Sequence, residues 1–175
     1  MRRILVVTLL LALIASTSLF SVEDSFTVTT DVNLIGYIKV SSSAISGNTI
    51  TAYEDAGNFT TLPVSTSGEQ FFSAYMTTLC NCRTGYIVSM SATPMISAVE
   101  GSMTSHINYT VGCNGHDVLT TLSSEQAATP VVITNSLLHL TGRSDAITLT
   151  VDATTFNAAV SGSYIGTVTF TFAAT

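Results

Sequence analysis

The sequence predicts an all-β protein, an antiparallel β-sandwich with an immunoglobulin-like layout. Three observations carry the expectation. Short apolar–polar alternations recur along the chain, most cleanly over Ser163–Phe172, where Tyr164, Val168, Phe170 and Phe172 point one way and Ile165, Thr167, Thr169 and Thr171 the other. Gly, Asn, Asp and Ser clusters separate these runs at spacings of about 8–12 residues. No amphipathic helical pattern continues beyond about two turns. The chain has 175 residues and no internal repeat, which suits one domain with a core of its own.

Taken in order, Phe26–Val32 alternates strictly and Tyr37–Val40 reads as a short strand. Ser41–Ser43 and Ser46-Gly47-Asn48 are turn material. Thr49–Tyr53 reads as a strand, and Phe59–Val64 as an edge strand because Pro63 cannot donate to a ladder. Phe71–Leu79 fits a strand or one helical turn equally; Gly85–Ala92 is a strand and Pro94–Ser102 irregular. Ile107–Cys113 alternates, Asn114-Gly115 is the strongest short-range signal for a tight hairpin, and Val118–Leu122 would return. Ser123–Thr129 reads as a polar loop. Val131–Leu140 and Ala146–Val151 are strands divided by Gly142-Arg143-Ser144-Asp145, and Asp152–Gly162 links to the final strand.

The first 21 residues predict a secretory signal peptide. Arg2 and Arg3 form a basic start, Ile4–Ile14 is apolar apart from Thr8, and small or polar residues lead to a cut after Ser21. Eleven residues are too few to cross a bilayer as a helix, which takes about 20. The chain is therefore expected to be exported. Its remaining cations are Lys39, Arg83 and Arg143, against eleven acids, a formal charge of −8. Three scattered cations cannot build the basic patch that phosphate neutralisation requires, so nucleic acid is not an expected partner.

Three blocks, in order, resemble one family. Val22–Val32 follows the leader. Ile107–Val111 runs through Gly115 and Val118–Thr121 to Ala127-Ala128. Gly162-Ser163-Tyr164-Ile165-Gly166-Thr167-Val168 begins the last strand. Together they are similar to the major pilins of class 5 colonization-factor fimbriae, made by the alternate chaperone–usher pathway. The resemblance implies a sandwich that lacks its last strand and is completed by one donated from the next subunit. It divides the chain into leader 1–21, donor extension 22–34 and pilin domain 35–175. The donated residues would be Phe26, Val28, Thr30 and Val32, and the receiving groove would be lined by Tyr164, Val168, Phe170 and Phe172. The implied partners are identical subunits in a head-to-tail fibre, a periplasmic chaperone, an outer-membrane usher and a tip adhesin, and the implied destination is a cell-surface fimbria supporting adhesion. The chain departs from the family in having Asn33-Leu34 where a proline usually follows the donor segment, and in having cysteines at all.

Those cysteines are Cys80, Cys82 and Cys113, and in an oxidising compartment a disulfide is expected. Cys80–Cys82 would close a very tight loop, so Cys113 is expected to pair with either, leaving one free thiol. The competing arrangement is zinc held by Cys80, Cys82, Cys113 and His116, in a zinc-stabilised secreted domain; no metal site is otherwise expected. His106, on the face opposite Ile107, Tyr109 and Val111, reads as solvated, and His116 and His139 fit no catalytic pattern. The chain has no G-x-S-x-G elbow, and the adjacent acids Glu23-Asp24 and Glu54-Asp55 read as solvated charge, so neither an enzyme nor a cofactor is expected. The remaining reading is a self-complete binding sandwich for a ligand or glycan, in which Phe26–Val32 is its own first strand.

Overall fold

The computed structural model describes residues 25–98, 104–121 and 128–175. The leader expected over residues 1–21 lies outside them, as does most of the expected polar loop 123–129. In chain order the elements are β1 (Gly36–Ser41), α1 (Ile50–Asp55), β2 (Gly68–Glu69), β3 (Tyr75–Cys80), β4 (Tyr86–Ala92), β5 (Met95–Ala98), β6 (Thr104–Ile107), β7 (Tyr109–Cys113), β8 (His116–Leu119), β9 (Thr129–Thr134), β10 (Thr141–Val151), α2 (Ala153–Ala158) and β11 (Val168–Ala174). The chain divides into two compact units, Met1–Val32 and Asn33–Thr175. In the first, residues 25–32 form no strand or helix and are exposed throughout.

The second unit is an antiparallel β-sandwich. One sheet runs β1-β3-β10-β7-β8, with β2 also on β10; the other runs β11-β4-β9, and β5 and β6 make a separate hairpin. The core lies between the sheets, where period-two alternation sends one face of each strand inward. On β4 this buries Tyr86, Val88, Met90 and Ala92, and on β7 it buries Tyr109, Val111 and Cys113. Each fully buried Val or Met contributes about 1.5–3 kcal/mol by leaving water. The hairpin predicted at Asn114-Gly115 forms, both residues adopting positive φ (52° and 74°), as a two-residue turn requires.

β3 is buried along nearly its whole length, because its outer face is covered as well. Hydroxyls link three strands there: Ser41 Oγ to Thr77 Oγ1 at 2.7 Å and Thr77 Oγ1 to Ser144 Oγ at 2.8 Å. The backbone N–H of Ile45 donates to Ser144 Oγ at 3.0 Å, laying the 43–48 stretch over the sheet. This explains Gly142, read from the sequence as part of a turn. A Cβ on Gly142 would sit 2.7 Å from the carbonyl of Gly47, so glycine lets the covering backbone approach the start of β10. Residues 142–145 thus belong to β10, which pairs with β3 over Thr141–Ala146 and with β7 over Ile147–Val151.

Other boundaries also differ from the expectation. Thr49–Tyr53 is not a strand: Thr49 caps α1, its Oγ1 accepting from Ala52 N–H at 3.1 Å, so local capping overrides the β-favouring side chains. Phe59–Val64 joins no ladder. Met95–Ala98, expected to be irregular, pairs with β6. β9 ends at Thr134, well short of Leu140. The last strand begins only at Val168, because Gly166 packs tightly on the Thr93 carbonyl and Met95, where a Cβ would lie 3.0 Å from each. Upstream of that break, Ile165 makes a single bridge to Ile96.

Candidate functional site

β11 pairs with β4 from Val168–Ala92 to Ala174–Tyr86. It is the edge of its sheet, and among the described residues no strand bonds to its other side. An unpaired edge presents a row of backbone donors and acceptors that can template another strand. Against this edge lies a cleft of about 470 Å³. Tyr164, Val168 and Phe170 line it from the β11 side, Val111, Ile147 and Leu149 from the inner faces of β7 and β10, and residues 59–62 and Val64 from the loop before β2. Phe59 is fixed at one end of that loop by its N–H to Val40 O (3.0 Å) and by stacking on Phe72 with ring centroids 5.8 Å apart.

Of the four residues read as one apolar face, three therefore meet at the cleft. Phe172 does not line it. Its ring stacks on Tyr86 with centroids 5.1 Å apart, and Gly36 of β1 packs against it so closely that a Cβ there would fall 2.9 Å from Phe172 Cε1. Tyr109 lies at the cleft with a polar handle. Its hydroxyl donates to Thr93 O at 2.8 Å and lies 3.3 Å from Thr167 O, and burial pushes its pKa up to about 12. The segment read as its counterpart is exposed: Phe26 is 88 %, Val28 79 % and Val32 79 % accessible, and Thr30 is exposed too.

The cysteines correct the expectation. Cys80 and Cys82 are bonded to each other, and Cys113 is free and buried. Register gives the reason. Cys80 lies opposite Thr141 and Cys113 opposite Ile147, six residues along β10. At about 3.3 Å per residue that offset far exceeds the roughly 7 Å between Cα atoms that a disulfide tolerates. Burial, with Asp145 adding to it, pushes the Cys113 thiol up to about 12, so it stays protonated as a small apolar group. Its neighbour could not be read from the sequence: Arg143 binds Asp145 through two bonds of 2.5 and 2.9 Å, within one strand instead of across a turn. His116 and His139 are exposed and His106 is half-buried, opposite Ile96. Among the described residues no group of three or more His, Cys, Asp or Glu could hold a metal ion.

No protein-family model matches the chain, and neither a curated protein nor a solved structure matches it.

Proposed function

We propose that this chain is a structural subunit of a surface fimbria, in which residues 26–32 of one copy enter the cleft beside β11 of the next. One observation carries the reading: the same chain holds an unpaired edge strand bordering an apolar cleft and an exposed, alternating apolar segment that belongs to no strand. Strand addition answers both needs. Main-chain bonds complete the edge, and alternate side chains fill the cleft. Phe26, Val28 and Val32 together would gain about 5–9 kcal/mol on full burial, before ordering costs. Donor and acceptor are different surfaces of one chain, so the contact is heterologous and grows an open filament. The immunoglobulin-like layout, the incompleteness of the sandwich, export through the periplasm, the chaperone and usher that would shield the cleft in transit, and the tip adhesin follow from the resemblance of the three sequence blocks.

The test is deletion of residues 22–32. Self-association, read by sedimentation, should disappear, while a synthetic peptide of residues 22–34 should bind the shortened protein and slow its unfolding. If the shortened protein fails to fold and the peptide restores nothing, residues 26–32 are an internal strand and the self-complete binding sandwich replaces this reading.

A further inference from the structure

The loop that lines the cleft across from its floor has an unusual composition for a segment outside any ladder. Thr60, Thr61 and Val64 are β-branched strand formers, and Phe59 before them is aromatic. Phe59, Leu62 and Val64 are half-buried, and Thr60 and Thr61 are exposed. Yet residues 60–65 make no backbone hydrogen bond to any other described residue. The stretch is anchored at Phe59 on Val40 at one end, and at Gly68–Glu69 on Val151 and Thr150 at the other, with eight residues between. Across the cleft from it lies β11, whose outer edge bonds to no strand among the described residues. A β-prone segment beside an open edge should pair with it and close the cleft.

Pro63 stands in the middle of this segment and is exposed. Proline has no N–H to give to a ladder, and its ring obstructs a neighbouring strand. It also holds Leu62 in the extended region without letting the stretch become a strand. Natural sheets use proline in this way to stop unwanted edge pairing. Resting on the reading of the cleft as a strand acceptor, we propose that Pro63 is a specificity-determining residue: it keeps residues 60–65 from pairing with β11, so the cleft stays open to a strand from another copy. Discrimination here comes from a repulsive element against the chain's own loop as much as from attraction to the incoming segment.

The test uses the full-length mature chain, a fluorescent peptide of residues 22–34, and the variants Pro63→Val and Pro63→Ala. Pro63→Val restores the N–H and adds a β-branched side chain; Pro63→Ala restores only the N–H. Wild type should bind the peptide. Pro63→Val should bind at least tenfold more weakly and associate less with itself, and amides 60–65 should gain hydrogen-exchange protection. Pro63→Ala should fall between. A Ser65→Val control, which keeps the proline at an exposed position outside the cleft lining, should bind like wild type. Peptide binding by Pro63→Val within twofold of wild type, with amides 60–65 still exchanging freely, overturns the role of Pro63 while leaving the acceptor cleft intact. If wild type neither binds the peptide nor associates with itself, the acceptor reading falls and this proposal with it. Should Pro63→Val not fold, the same comparison on Pro63→Ala decides.

Discussion

The two ends of β11 are built from the same alternating residues and have opposite surroundings. At its C-terminal end the half-buried Phe172 packs on Tyr86 and against Gly36. At its N-terminal end Val168 and Phe170 open onto a cleft that the chain's own described residues do not fill. Period-two alternation explains why all three point inward, and it cannot explain why only Phe172 has β1 packed against it. Coverage depends on what the other sheet brings opposite. β1 reaches Phe172 because Gly36 has no side chain to hold it off. Farther along, the position next to β11 falls to residues 59–64, which form no strand. The core is finished where two sheets meet and unfinished where a loop stands in for a strand.

The largest expected effect separates these two ends directly. Phe172→Ala should cost about 2–4 kcal/mol in chemical denaturation, because it removes a ring packed between Tyr86 and Gly36 and leaves a gap there. Phe170→Ala should cost about 1–2 kcal/mol, since its site already opens on a cleft and only the transfer term is lost. Binding of the 22–34 peptide should rank them the other way, with Phe170→Ala weakening it at least tenfold and Phe172→Ala leaving it nearly unchanged. Equal effects in both assays would erase the distinction between the ends. Gly36→Val comes next. Its side chain would meet Phe172 Cε1 at under 3 Å, and overpacking of this kind costs about 1–3 kcal/mol. Gly36→Ala should cost less, because the far edge of the ring can move.

A smaller effect sharpens the open end. Tyr109→Phe removes the bond to Thr93 O, which helps hold the break before β11 in place, and should cost about 1 kcal/mol. Its pH dependence has a definite sign. The phenol ionises near 10 when unfolded and at about 12 when folded, so its contribution is complete below pH 10 and is lost as pH rises toward about 12. Stability of the wild type should fall across that window, and Tyr109→Phe should flatten the fall. An unchanged slope would mean that water already reaches the hydroxyl.

How far the sequence reveals this architecture varies with the range of the forces involved. The Asn114-Gly115 hairpin and the strands over 86–92, 109–113 and 168–172 were legible because turn chemistry and alternation are local. So was the shared inward face of Tyr164, Val168 and Phe170. The Gly142–Asp145 stretch misled, because its glycine answers to the carbonyl of Gly47, almost a hundred residues away, and not to a turn. Thr49–Tyr53 misled because one hydroxyl cap outweighs β propensity over so short a run. The cysteine pairing was illegible because it depends on register across β10, and the packing of Phe172 because it depends on β1 reaching it from the other sheet.

The smallest expected effect tests the closed end by another route. The Cys80–Cys82 bond lies at that end, since Cys80 is opposite Gly36 on β1. A cross-link stabilises mainly by removing loop-closure freedom from the unfolded chain, and its effect grows with the loop. Here the two residues are only two apart, so the loop-closure contribution is about 1–2 kcal/mol, against roughly 3 for a loop of 15 residues. Reduction by dithiothreitol should therefore lower the melting temperature by only a few degrees. It should leave Cys113 unreactive to alkylation in the folded state, because that thiol is buried and protonated. Peptide binding at the cleft should not change, since the bond and the cleft lie toward opposite ends of β11. Loss of peptide binding on reduction would show that the enclosed end sets the shape of the open one, and that the two ends of β11 act as a single unit.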